Sequence, residues 1–240
     1  MSKGLKENKK EKRKMTFYFF LWIFIISLVS YLLGSIPFSY LIAKVYGKNL
    51  YEVGTGNIGT ANVWRATGKI EPTFGALIGD SGKGILALFF AKSLSYAFFP
   101  EHLLLAQGLS CFFAVLGHNW PIFLKFKGGR GLATLGGALL YFDWRALLLV
   151  FFVITFSIFL VEILVKKGKL ELTGNFKEKT KKLFSIFISQ VLGRDLGILV
   201  ALVLVFFFFP QVFKIAFPAL ILAVIKHVRR TKNFLEGKKT

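Results

Sequence analysis

The feature that most constrains this chain is the length of its apolar runs. Phe17–Ala43, Phe74–Phe99 and Ala146–Val165 each match or exceed the roughly 20 residues that a helix needs to cross a hydrocarbon layer. A hydrocarbon interior offers backbone N–H and C=O groups no water, so such runs predict helices rather than open strands. Further apolar stretches cover Leu103–Gly117, Leu183–Phe209 and Phe213–Ile225, and a short one covers Leu132–Phe142. The fold class read from this pattern is an all-α integral membrane protein with about seven transmembrane helices and Gly-rich loops on the cytoplasmic side. Pro37 predicts a kink near the end of the first helix. The stretch Phe184 to Leu192 reads as an amphipathic helix in the interface.

Charge supports this layout. The 32 Lys and Arg against 12 Asp and Glu give a net charge of +20, and the cations fill the gaps between apolar runs. With the first loop inside, the segments 118–131 and 166–182 and the C-terminal tail fall on that same side. The turns 100–102, 143–145 and 210–211 fall outside and carry only Arg145 as a cation. This is the asymmetry that the positive-inside rule requires. The Lys-rich N-terminus breaks it: either the first helix does not span as drawn, or later loops set the orientation, and we read the second. Residues 1–15 read as a basic disordered tail, and 16–240 as a single polytopic domain containing a probable insertion at 166–194. The basic balance is spent on membrane surface and phosphorylated substrates, not on nucleic acid. The single cysteine, Cys111, lies inside an apolar run, and the three histidines are scattered, so no metal site and no cofactor is expected.

Three polar segments carry the chemistry. The first, Gly54-Thr55-Gly56-Asn57-Ile58-Gly59-Thr60-Ala61-Asn62-Val63-Trp64-Arg65, matches GxGxxG, and Asp80 follows at the spacing of a ribose-binding acid. The match is formal, because a dinucleotide fold needs a strand before the glycines and here membrane helices flank them. The physical content survives: Gly56 and its neighbours let backbone amides approach an anion. Thr55, Asn57, Thr60 and Asn62 add short polar groups, and Arg65 adds a bidentate cation suited to phosphate. The second segment runs from His118-Asn119-Trp120-Pro121 to Lys127-Gly128-Gly129-Arg130-Gly131. Pro121 and the glycines forbid a continuous helix, and Lys127 and Arg130 bracket a glycine pair, which reads as a second phosphate site. The third, Lys226-His227-Val228-Arg229-Arg230-Thr231-Lys232-Asn233-Phe234-Leu235-Glu236-Gly237, reads alone as a basic tail on anionic lipid. Between them, Asp80 and Lys83 stand three apart, either as a self-satisfied pair or as part of a substrate site.

In this order, and with Tyr31-Leu-Leu-Gly-Ser-Ile-Pro-Phe ahead of them, the segments resemble the acyl-phosphate:glycerol-3-phosphate acyltransferases of bacterial phospholipid synthesis. The resemblance covers nearly the whole chain apart from the N-tail and about 166–194. It implies an enzyme of the cytoplasmic (inner) membrane, with active-site loops facing the cytoplasm. That enzyme moves a fatty acyl group from acyl phosphate to the sn-1 hydroxyl of glycerol 3-phosphate, giving lysophosphatidate and phosphate. It also implies a functional link to the enzyme that forms acyl phosphate. Carried over by position, Arg65, Lys127 and His227 become the catalytic residues. Thr55, Gly56, Asn57, Thr60, Asn62, Gly128, Gly129, Arg130 and Arg230 join them around the substrates. The chain departs from the family pattern at Thr55 (usually Ser), at Thr60-Ala61 (usually Ala-Thr), at Arg130 (commonly Lys) and at Arg230 (usually Asn). The alternative is a divergent paralogue that transports or binds a phosphorylated small molecule or lipid.

Overall fold

The computed structural model describes residues 2–165, 174–189 and 192–235; side chains of residues 2–6, 188, 189, 227 and 229–235 lie outside the description. The described residues are helical throughout their regular parts. The order is α1 (Ser2–Ser35), α2 (Phe38–Val45), α3 (Thr60–Thr67), α4 (Ile70–Phe98), α5 (Leu103–Asn119), α6 (Leu132–Phe142), α7 (Trp144–Val165), α8 (Phe176–Ser189), α9 (Leu192–Phe208) and α10 (Pro210–Leu235). Helix α1 starts at Ser2, inside the stretch that the sequence reads as a disordered tail. Its first residues are mostly Lys and Glu, which lose little rotamer freedom in a helix and so extend it.

Among the described residues, four helical stretches are long and apolar enough to cross a membrane: Glu7–Val45, Ile70–Phe98, Pro100–Leu124 and Trp144–Val165. The pair α8–α9, bent by 65°, makes a fifth if counted as one broken span. The seven crossings expected from the sequence require α6 and α10 in addition. At 11 residues, α6 is about half the usual length. The outward faces carry Phe20, Phe24, Phe74, Phe89, Phe151, Phe152, Phe156, Phe207 and Phe208, all exposed. An apolar surface of that extent is tolerable only in contact with lipid.

Lipid does not drive helices together, so close backbone approach must. Two crossings use glycine reciprocally. In α1 and α5, a Cβ on Gly34 would strike the Ala114 carbonyl, and one on Gly117 would strike that of Tyr31. In α4 and α6, Gly84 lies against the Thr134 carbonyl and Gly137 against that of Ser81. Polar contacts add to the first crossing. Ser30 Oγ donates to Ser110 Oγ at 2.9 Å, and Tyr31 Oη donates to the Trp120 carbonyl at 2.8 Å.

At the end of the bundle where α6 meets α7, Arg145 pairs with Asp143 at 2.9 Å. The guanidinium hydrogen bond holds the Asp143 carboxyl below the usual carboxylate range. The one cation in the turns 100–102, 143–145 and 210–211 is therefore neutralised locally.

Replacing Gly117 by leucine is expected to lower the thermal midpoint of the purified protein by the equivalent of about 1–3 kcal/mol or more, through overpacking. Gly82→Ala adds a Cβ that meets nothing within 4 Å. It is expected to raise stability by about 0.5–1 kcal/mol through helix propensity. Thermal unfolding of both variants in one detergent checks the pair.

Candidate active site

The site begins at the break in the first span. Pro37 supplies no N–H, the helix stops at Ser35, and α2 starts at Phe38, so carbonyls near the break lose their helical donors. The Ile36 carbonyl receives instead the ammonium of Lys83, Nζ donating at 2.8 Å. Lys83 also pairs with Asp80 Oδ1 at 3.1 Å, and Ser39 Oγ donates to Asp80 Oδ2 at 2.5 Å. Asp80 and Lys83 are 1% and 2% exposed, so this is a fully buried ion pair, with Lys83 also held by the Ile36 carbonyl at the break and Asp80 Oδ2 by Ser39 of α2. His118, buried in the last turn of α5, turns Nδ1 toward Asp80 Oδ1 at 3.7 Å, beyond hydrogen-bond reach. The self-pairing reading of Asp80 and Lys83 holds for the two charges, but the pair also ties three helices together.

His118 carries the network into the second loop. The Gly129 N–H donates to the His118 carbonyl at 3.0 Å. A Cβ at Gly129 would overlap the His118 imidazole, and one at Gly128 would overlap the His118 carbonyl and the Pro121 ring. The two glycines thus let residues 127–131 fold flat against the end of α5. Just before them, Lys125 (φ 51°) and Phe126 (φ 62°) both occupy the left-handed region, a conformation that costs non-glycine residues energy and that clusters at functional turns. Gly131, at φ 82°, then opens α6, so its N-terminal amides lie directly behind Lys127 and Arg130.

The first loop has its own staple. Asn62, 1% exposed, donates both amide protons, to the carbonyls of Leu50 (2.9 Å) and Val53 (3.0 Å). Its Oδ1 accepts the Thr55 N–H at 3.0 Å. The expected substrate ligand Asn62 is therefore engaged inside the loop, because a left-handed turn at Gly54 and Gly56 leaves carbonyls that only a buried amide can satisfy. Thr55 and Thr60 keep buried hydroxyls with no hydrogen-bond partner in the structure. Asn57 and Gly56 are half-buried beside them. Arg65, on α3, packs its stem toward Gly54 and donates from Nη1 to the Ala61 carbonyl at 3.3 Å; burial pulls its guanidinium below its ordinary value. An arginine stays charged even so, and a poorly hydrated guanidinium binds an anion more strongly.

The structure brings the three segments to one end of the bundle. Tyr51 Oη donates to the Lys127 carbonyl at 2.8 Å, joining the first loop to the second. Lys226 Nζ stands 4.4 Å from the Trp120 ring centroid, and Asn119 Nδ2 donates to the Leu222 carbonyl at 3.3 Å, joining α10 to the second loop. His227 follows Lys226 on α10. The side chains of His227 and Arg230 lie outside the described residues. Sequence reasoning did not single out Ser39, Tyr51, His118 or Lys226. An ionisable residue at membrane depth was the signal available for Asp80 and Lys83; a histidine directly before a proline turn was the signal for His118. No group of three His, Cys, Asp or Glu able to hold a metal occurs among the described residues.

Asp80→Ala strands the Lys83 ammonium in the bundle and is expected to cost about 3–5 kcal/mol of stability. The double replacement Asp80→Asn with Lys83→Met is expected to recover part of that loss, as thermal unfolding of the two variants would reveal.

Comparison with known proteins places this geometry. A family model described as glycerol-3-phosphate acyltransferase matches residues 24–237. A glycerol-3-phosphate acyltransferase of Wolbachia pipientis subsp. Culex pipiens (strain wPip) is 35% identical over 215 residues, covering 90% of this chain and 96% of that protein. A protein of the same name from Geobacillus kaustophilus (strain HTA426) is 39% identical over 144 residues, covering 60% of this chain and 66% of that one. Among solved structures, the glycerol 3-phosphate form of PlsY (YgiH), an integral membrane glycerol 3-phosphate acyltransferase, aligns with a TM-score of 0.65 and 25% identity over 91% of this chain and 94% of that one. Its lysphosphatidic acid form shares the fold at 23% identity and a TM-score of 0.64. An all-helical integral membrane protein with two glycine-rich loops and a basic helix end brought together, matched along nearly its whole length, belongs to the glycerol-3-phosphate acyltransferase family.

Proposed function

We propose that this protein transfers a fatty acyl group from acyl phosphate to the sn-1 hydroxyl of glycerol 3-phosphate, releasing lysophosphatidate and phosphate. The observation that carries the reading is the convergence of the three segments, held by the Tyr51–Lys127 hydrogen bond and the Lys226–Trp120 contact. Both substrates carry phosphate. In this reading Arg65 holds one anion and Lys127, Arg130 and the α6 N-terminus hold the other. The solved relative is described in a glycerol 3-phosphate form and a lysphosphatidic acid form, an acceptor and product that fit this reaction.

The chemistry asks for positioning and charge stabilisation more than for a nucleophile. An acyl phosphate is already activated, and Cys111 is buried in the bundle away from the loops. The acceptor oxygen forms a bond to the acyl carbon while the bond from that carbon to the phosphate oxygen breaks. The hydroxyl proton ends on the released phosphate, with His227 as the residue that orients the hydroxyl or relays that proton. Charge developing on the carbonyl oxygen and on the leaving phosphate is met by Arg65, Lys127 and Arg130, and by backbone amides of the glycine loops. The buried hydroxyls of Thr55 and Thr60 are free to turn toward substrate oxygens. In this reading Gly56, Asn57, Gly128 and Gly129 shape the anion cradles. Arg230 extends the basic wall on α10. The loops face the cytoplasm of a bacterial inner membrane, where glycerol 3-phosphate and the enzyme that forms acyl phosphate are at hand. The chain from residue 16 onward acts as one domain, with 166–194 inserted into it.

Two outcomes test the proposal. Purified protein given palmitoyl phosphate is expected to release phosphate only when glycerol 3-phosphate is present, with lysophosphatidate formed; acceptor-independent release, or none, would sink it. Arg65→Ala and Lys127→Ala are each expected to lower kcat/KM by about 100-fold or more while thermal unfolding stays near that of the unchanged protein. A variant retaining full turnover would remove that residue from the site.

A further inference from the structure

The segment 166–194, which the sequence reads as an insertion, contains a helix held at both ends. Helix α8 opens on a reciprocal cap. The Asn175 N–H donates to Glu178 Oε2 at 3.1 Å, and the Glu178 N–H donates to Asn175 Oδ1 at 3.0 Å. This satisfies two of the amides that a helix start leaves bare. At its far end, Arg194 of α9 donates from Nη2 to the Phe187 carbonyl at 3.0 Å, placing a buried cation on the carbonyl end of the helix. Between those points the helix is amphipathic. Leu183, Phe184, Ile186 and Phe187 are buried or half-buried, whereas Lys177, Lys179 and Lys181 are exposed. The 65° bend from α9 turns α8 out of line with the spanning helix. A capped amphipathic helix with lysines on and beside its polar face suits the headgroup layer of a bilayer.

Its position relative to the site is the second observation. The Phe184 ring meets Trp64 edge-on at 4.6 Å between centroids, and Phe187 lies 6.0 Å from Phe151 of α7. Trp64 is the residue before Arg65 on α3. The lysine-rich first half of α8 therefore belongs to a helix that touches, through Phe184, the one carrying Arg65. It contains four lysines and one glutamate within Phe176–Ser189. Of the two substrates, only the acyl phosphate must arrive through the membrane plane, with its chain in lipid and its anionic head at the surface. A soluble acceptor needs no such surface.

We infer that α8 is the landing surface for the acyl phosphate donor, its lysines gathering the anionic head at the interface and passing it to Arg65. The inference rests on the acyl-phosphate reading above and assigns one substrate's route within it. The occupant is a single-chain anionic amphiphile. Charge complementarity suits either phosphate, and the apolar half of the helix beside the lysines selects the amphiphile over glycerol 3-phosphate.

The test is steady-state kinetics of the full chain in neutral lipid vesicles, varying palmitoyl phosphate and glycerol 3-phosphate separately. In the triple variant Lys177→Glu, Lys179→Glu, Lys181→Glu, the KM for palmitoyl phosphate is expected to rise by about tenfold or more, with the KM for glycerol 3-phosphate and the thermal midpoint unchanged. Added sodium chloride is expected to raise the donor KM of the unchanged protein and to lower that of the triple variant, since screening acts on opposite signs. A donor KM that does not move overturns the inference, as does a parallel rise in both KM values. If the triple variant loses only affinity for phosphatidylglycerol vesicles, α8 is a general contact for anionic lipid and the inference also falls. Absence of turnover in the unchanged protein would instead overturn the proposed function itself.

Discussion

A lysine and an aspartate buried three residues apart in a membrane helix would be a heavy burden if they met only each other. Here they are the joint on which the active end is built. Pro37 opens the first span, the Ile36 carbonyl loses its helical donor, and Lys83 donates to it beside the Phe38 N–H. Asp80 neutralises Lys83, takes the Ser39 hydroxyl and faces His118. The desolvation of the two charges is offset in part by the Ile36 carbonyl and the Ser39 hydroxyl, groups from another part of the chain. Take away any one, and the break in α1, the middle of α4 or the end of α5 is left with a bare polar group in a place without water.

The rest of the bundle obeys the same economy of close contact. The crossings of α1 with α5 and of α4 with α6 rest on backbone against backbone, with glycine on both sides. These two crossings hold the helices that carry the break, the ion pair and His118, so the loops at their ends start from fixed points. Each glycine-rich loop is then pinned by hydrogen bonds that belong to the fold: Asn62 inside the first, the His118 carbonyl under the second, Tyr51 between them. Pre-set backbone amides and cations of this kind are what charge stabilisation in a transition state requires, since nothing has to reorganise when the charge appears.

Much of this was legible in the residues. Run length marked the apolar helices long enough to cross a membrane, and the glycine and proline positions marked the two loops that break them. Pro37 marked a kink that the structure resolves as a break between two helices. What could not be read was which polar side chains the fold itself consumes. Asn62 has the same chemistry as Asn57 and sits in the same loop, and only the three-dimensional path of residues 50–55 consumes its amide. His118 and Ser39 were hidden for a related reason: their partner, Asp80, is about 40 residues away from each, and no local pattern encodes such a meeting. The N-terminal stretch shows the reverse case. Composition reads it as loose, while the propensity of Lys and Glu lets α1 run on from the apolar part behind it.

The hydrogen bond that joins the two glycine-rich loops ends on the main-chain oxygen of residue 127, not on its ammonium. The junction of the loops therefore depends on the path of the chain at that point and is indifferent to the side chain hung there. Backbone path and side-chain chemistry are separately adjustable at the same residue. Charge, reach or hydrogen-bonding style at position 127 could drift over evolutionary time, or be rewritten by hand, while the loops stay joined.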